Sequence, residues 1–156
     1  SFSAGFIVDT NKNPVVGIPE TSAIAAASFD RDLVPPVVTS FDLNLDSGIL
    51  TVYFSETVNS SSVDVTAFGF QSDRFVTDLV NQFYQLTGGS VMTSTSDLEG
   101  DHILEIELSL NDVNNIKTRF ELATGPTDTY LVVQQGGARD VHNNLLSAIL
   151  NEYMSI

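Results

Sequence analysis

Residues 5–18 and residues 136–149 align without a gap at a constant offset of 131, with Asp9 falling on Asp140. Gly5 and Gly136, Asp9 and Asp140, Asn13 and Asn144, and Ile18 and Ile149 are identical pairs, and Val15 and Leu146 are aliphatic in both. Both stretches read as strand, Asp-x-x-x-Asn turn, strand. Asp and Asn suit such a turn because their side chains bond nearby backbone and they tolerate left-handed φ. A period of 131 in a chain of 156 residues gives one full repeat and the tail of another. Residues 1–30 are therefore read as the C-terminal hairpin of a preceding repeat, 31–36 as a linker stiffened by Pro35-Pro36, and 37–156 as the complete unit. A lone hairpin cannot bury its apolar face, and tandem arrays solve this by pairing each unit with its neighbour.

Strand signals fill the complete unit. Leu50, Val52 and Phe54 alternate with polar residues, as do Leu104, Ile106 and Leu108, with Glu105 and Glu107 between them facing water. Val38–Leu43 and Phe68–Phe70 keep the same period, while Tyr130–Val133 is a continuous apolar run, as expected of a strand buried on both sides. Gly88-Gly89 and Asp97–Asp101 are turn signals. One helix is expected over 111–120, capped by Asn111, with Val113, Ile116 and Phe120 as its apolar stripe. Asp112, Lys117 and Arg119 suit its dipole. A shorter helical turn is expected at Ser60–Val63. The class is all-β: an antiparallel β-sandwich of about seven strands from residue 35 with one short helix. Its expected core is Phe41, Leu50, Val52, Phe54, Phe68, Leu104, Ile106, Leu108, Ile116 and Val132.

The charge balance removes several partners. Six Lys and Arg stand against 20 Asp and Glu, a net charge of -14. Phosphate backbones and anionic lipid surfaces attract the opposite sign, so no nucleic-acid partner is expected. The longest apolar-leaning stretch, Ala23–Ala27, is far below the ~20 residues of a bilayer span, so no membrane insertion is expected. Cysteine is absent, which excludes disulfides, thiolate metal sites and Cys nucleophiles. Many Ser, Thr, Asn and Asp with few Lys point to an extracellular or cell-surface location.

Catalytic patterns are missing from the sequence: there is no Gly-x-Ser-x-Gly elbow and no His-Glu-x-x-His. His102 flanks a strand and His142 occupies a turn. Glu105 and Glu107 read as solvation of a strand face, not as a glycosidase pair. Asp42-Leu43-Asn44-Leu45-Asp46-Ser47-Gly48 begins like an EF-hand loop, but its Gly is one place late and Tyr53 stands where the closing Glu belongs. The chain is expected not to be an enzyme.

Three short motifs carry a family resemblance: Pro35-Pro36-Val37-Val38 at the opening, Leu50-Thr51-Val52-Tyr53-Phe54-Ser55-Glu56-Thr57-Val58 as second strand, and Asp140-x-x-x-Asn144-Leu145 at the close. With them the chain resembles the bacterial-type Ig-like domains that occur in tandem in surface-layer proteins, adhesins and other large extracellular proteins. It departs at His142-Asn143, where that family has a small residue and Gly, and over Gln71–Gln85, which has no counterpart there. The resemblance implies an Ig-like sandwich serving as spacer, stalk or filament module, joined head-to-tail to copies of itself.

The candidate pairing surface is Phe6, Val8, Val15, Ile18, Ile24 and Phe29, apolar residues of a segment that cannot form a sandwich alone. No cofactor is expected, though Asp30, Asp32, Glu56 and Asp140 could supply hard oxygen ligands to calcium. Asn59-Ser60-Ser61 is a glycosylation sequon. The alternative function is a glycan- or surface-binding adhesion module, for which Phe75, Phe83 and Tyr84 are the candidate aromatics.

Overall fold

A computed structural model describes residues 7–76, 78, 81–92, 102–150 and 152–153. The chain divides into two compact units, Ser1–Asp32 and Leu33–Ile156, and the division falls inside the expected linker. The first unit carries one antiparallel bridge, Val8 to Pro14, and a short 3-10 turn over Glu20–Ser22.

In the larger unit, β1 (Val38–Asn44) runs into β2 (Ile49–Phe54) through a turn that the sequence builds locally. Asn44 Oδ1 accepts from the backbone N–H groups of Asp46 and Ser47 at 3.0 and 3.1 Å. Gly48 closes the turn at φ 73°, which a side chain would strain. This settles Asp42–Gly48 as strand and turn; the Asp42 carboxylate accepts from the Tyr53 hydroxyl at 2.9 Å. β2 pairs in turn with β7 (Ile103–Leu108), placing Leu50 against Ile106 and Val52 against Leu104, and β7 pairs with β6 (Gly89–Met92). The sheet order is β1-β2-β7-β6, antiparallel throughout.

A second antiparallel sheet has the order β5-β3-β8, with β3 at Phe68–Gln71, β5 at Phe83–Gln85 and β8 at Tyr130–Val133. Ile149 extends it by exchanging two backbone hydrogen bonds with Val133, at 2.9 and 2.8 Å. The short strands β4 (Phe75–Val76) and β9 (Glu152–Tyr153) pair in parallel. The turn expected at Asp97–Asp101 lies outside the described residues.

One core is shared by both sheets. Leu50, Val52, Phe54, Leu104, Ile106 and Leu108 come from the first, and Phe68, Phe70, Tyr84, Leu131 and Val133 from the second. Glu105 and Glu107 are exposed, as the alternation requires. Each fully buried aliphatic or aromatic side chain contributes about 1.5–3 kcal/mol, so this cluster dominates the favourable side of folding. The fold is mostly β, with two antiparallel sheets and one helix, compatible with a β-sandwich.

Three local expectations need correcting. The helix, α1, spans Leu110–Lys117, and its N-cap is Ser109, whose hydroxyl accepts from Asp112 N at 3.1 Å; Asn111 lies inside the helix. It ends at Thr118, so Phe120 falls beyond it and is exposed, while Leu122 takes the buried place. In β8 Val132 is buried as expected, while Leu131 and Val133 join the cluster shared by both sheets. Phe41 is half-buried, its ring 6.3 Å from that of Phe70. The turn at Ser60–Ser62 is 3-10, capped by Asn59.

Candidate functional site

The repeat seen in the sequence is a repeat of hydrogen bonds. In the first unit, Asp9 N donates to Asn13 O at 3.0 Å, Lys12 N to Asp9 O at 3.0 Å, and Val15 N to Ile7 O at 2.9 Å. In the larger unit, Asp140 N donates to Asn144 O at 3.1 Å, Asn143 N to Asp140 O at 3.2 Å, and Leu146 N to Ala138 O at 3.0 Å. Every donor and acceptor is shifted by the same 131 residues (Asp9 to Asp140).

The side chains repeat as well. Asp9 Oδ1 accepts from Asn11 N and Asn13 N, both at 2.9 Å, and its Oδ2 from Asn13 Nδ2 at 3.0 Å. Asp140 Oδ1 accepts from His142 N at 2.8 Å and Asn144 N at 2.7 Å, and its Oδ2 from Asn144 Nδ2 at 2.7 Å. Lys12 and Asn143, the same position of the turn, are left-handed at φ 65° and 72°. Asn143 suits this position, since Asn tolerates the left-handed region better than most residues. The Asn13 side-chain bond leads the interactions that hold the Asp9 carboxyl below the usual range. For Asp140, burial opposes the charge, but the bonds from Asn144 and His142 outweigh it and lower the pKa.

Burial separates the two copies. In the larger unit the hairpin is part of the core: Ala138 is 0 % and Leu146 1 % exposed, and Asp140 is buried. Neighbouring segments complete it. Asn59 N donates to Arg139 O at 2.8 Å, Arg139 N to Ser62 Oγ at 2.9 Å, Asp64 N to Gly137 O at 2.9 Å and Ser147 N to Pro36 O at 3.0 Å. In the first unit, Ile7 at the position of Ala138 is 58 % exposed, and Val15 at the position of Leu146 is 36 % exposed.

Of the other pairing residues, Val8, Ile24 and Phe29 are exposed, Ile18 is half-buried and Phe6 lies outside the described residues. The hairpin thus holds Val8 and Val15 of the predicted surface, while Ile18, Ile24 and Phe29 lie beyond it.

Of the acidic candidates for calcium, Asp30 (exposed) and Asp32 (half-buried) belong to the first unit, and Glu56 (half-buried) and Asp140 to the larger one. Asp140 uses both oxygens to build its turn. Asn59 is exposed, with its side-chain oxygen accepting from Ser61 N at 3.1 Å. Phe75, Phe83 and Tyr84, the candidate aromatics, lie in β4 and β5. Phe75 is exposed, but Tyr84 is buried beneath the Arg119 guanidinium, 4.6 Å from its ring centroid.

A polar cluster around Asp112 has no signature in the sequence. This carboxylate is fully buried and accepts from the Tyr84 hydroxyl and the Thr87 hydroxyl, each at 2.7 Å, and from the backbone N–H groups of Thr87 and Gly88 at 3.2 Å. Burial opposes its ionisation, yet these donors together hold its pKa below the usual range. The cluster ties the turn before β6 to α1. Its partners lie more than 20 residues away along the chain, beyond the reach of local pattern.

An open cleft of about 660 Å³ runs along β1, between Phe41, Leu43 and Leu45 on one side and Ala123, Pro126 and Thr129 on the other. Asp128 shapes that loop, accepting from Thr124 Oγ1, from Thr124 N at 3.0 Å and from Gly125 N at 2.7 Å. Comparison with protein-family models, curated proteins and solved structures finds no match for this chain.

Proposed function

We infer that the chain carries one Ig-like β-sandwich repeat together with the closing hairpin of an adjoining repeat, and that it serves as a structural module of an extracellular stalk, filament or surface layer. The observation that carries this reading is the duplicated Asp-centred turn, bond for bond, buried at one occurrence and exposed at the other. An exposed copy of a core element is what a tandem array leaves when one unit is taken without its neighbour. Units of this kind join head-to-tail, and a heterologous contact propagates along a line instead of closing as a two-fold dimer. The net charge of -14 supports the reading, since it keeps adjacent strands of such an array apart.

Pulling the full chain by its two ends tests this. A structural module gives one force peak for the larger unit and none for residues 7–32. A chain that extends without a peak overturns the structural reading.

The second reading is a glycan- or surface-binding module, favoured by the open cleft along β1 and by exposed Phe75 and Phe120. Saturable binding on a glycan array, lost in Phe75→Ala, would establish it.

A further inference from the structure

The main chain and the side chains of the closing hairpin make different demands on its neighbours. Its docking bonds are made by backbone groups at Gly137 and Arg139, so any hairpin of the same shape could form them. The side-chain slot is restrictive. A Cβ built on Gly137 would stand 3.0 Å from both Ala67 Cβ and Val133 Cγ1, and 3.3 Å from Gln134 O. Ala138 beside it is fully buried in the core. A side chain at Gly137 would have to push its neighbours aside, and Ala138 is enclosed by the core.

The first copy brings much larger residues to the same places. By the 131-residue offset, Phe6 falls on Gly137 and Ile7 on Ala138. Interiors packed at crystal-like density do not absorb a phenyl ring and a branched chain where a glycine and an alanine stood. Backbone pairing gives affinity in strand addition, while side-chain pockets give specificity, and here the pockets disagree.

We propose that residues 7–18 close a β-sandwich unit related to the larger unit but not identical with it, one whose side chains around the place of the Gly137–Ala138 slot leave room for the bulkier residues of the first copy. The partner is a diverged repeat, and a second copy of this chain does not fit. The proposal rests on the tandem-repeat reading, and it narrows the expectation of identical neighbours.

Two variants of the full chain test it by circular dichroism and urea unfolding. In the first, residues 136–149 are replaced by the sequence of residues 5–18, which keeps the chain length. In the second, the same replacement retains Gly137 and Ala138. The first variant is expected to lose its cooperative unfolding transition. The second is expected to regain it, at a midpoint below the parent's because Val15 is shorter than Leu146. If the first variant unfolds at the parent's midpoint, the slot accepts the segment and the proposal is overturned, while the equivalence of the hairpins stands. If neither variant unfolds cooperatively, the hairpins are not equivalent, and the tandem-repeat reading fails together with the proposal.

Discussion

Asn144 spans the Asp140 carboxylate, its backbone N–H donating to Oδ1 and its side-chain amide to Oδ2, both at 2.7 Å. A third donor, His142 N, reaches Oδ1 at 2.8 Å. Replacing Asp140 with Ala strands two backbone donors at the edge of the core, and hydrogen bonds to a charged group are each worth about 1.5–3 kcal/mol. Shared among exposed turn atoms, the loss expected for Asp140→Ala is about 2 kcal/mol, read as a lower urea midpoint at unchanged slope. Asp9→Ala removes the same set of bonds from an exposed turn and should leave the midpoint of the larger unit where it was. Equal shifts in the two variants would contradict the assignment of one hairpin to the core and the other to the surface.

Acid should weaken the larger unit through named carboxylates. Asp112, Asp128 and Asp140 all have pKa values below the ordinary aspartate value, because burial of each is outweighed by its donors. A group depressed in the folded state contributes stability that is complete above its unfolded pKa of about 3.9 and is lost as pH falls through the folded value. The urea midpoint should therefore be flat from neutral pH down to about 5 and drop below about 4. Asp112→Asn sets an amide donor against the N–H groups of Thr87 and Gly88, so it should be destabilised at neutral pH. Its deficit relative to the parent should narrow in acid, where the parent's own carboxylate is protonated. A deficit that stays constant from pH 7 to 3 would exclude Asp112 as a contributor.

The strands of the first sheet were legible because β2 and β7 have one buried and one more accessible face, so Leu50, Val52, Leu104 and Ile106 recur every second residue. The same rule is silent on β8, whose continuous apolar run does not say which of Leu131, Val132 and Val133 face the shared core. The start of α1 was misplaced because Ser109 and Asn111 are both competent caps, and the choice depends on where the chain leaves β7. Phe120 continues a helical stripe only if the helix continues, and Thr118 ends it. The duplicated turn was readable in sequence because its bonds are local, four residues or fewer from Asp9 and Asp140. The slot at Gly137 was not, because Ala67 reaches it from the 3-10 turn Val65–Ala67, far away along the chain.

Gly89 offers a test of the pairing that closes the first sheet. It sits at φ 150° at the start of β6, and a Cβ there would lie 2.6 Å from the carbonyl oxygen of Glu107 and 3.2 Å from Val65 Cγ1. The obstacle is backbone, which cannot swing aside as a side chain can. Gly89→Ala should cost about 2–3 kcal/mol, combining a strained φ with a shifted strand. Gly88→Ala, with nothing within 4 Å of its added methyl, should be near neutral. Thermal or urea unfolding of the pair checks both, and equal losses would count against the β6–β7 register.

The two hairpins make one further prediction, because identical hydrogen bonds should not be equally protected. An amide exchanges through the cheapest opening that frees it, so protection reports the stability of the surroundings and not the bond alone. Leu146 N bonds to Ala138 O inside the core, and releasing it requires separating residues that are fully or almost fully buried. Val15 N makes the corresponding bond to Ile7 O at 2.9 Å, in a hairpin whose flanking side chains are exposed. An isolated two-stranded hairpin is marginal in water, so this bond should open locally. Residue-resolved hydrogen exchange should place Asn144 and Leu146 near the global unfolding limit of the larger unit, and Asn13 and Val15 orders of magnitude faster. Addition of urea should accelerate the first pair steeply and leave the second nearly unchanged, since global unfolding exposes far more surface than local opening. Comparable protection at Val15 and Leu146 would mean that the first hairpin is stable without a neighbour, and the need for an adjoining unit would disappear.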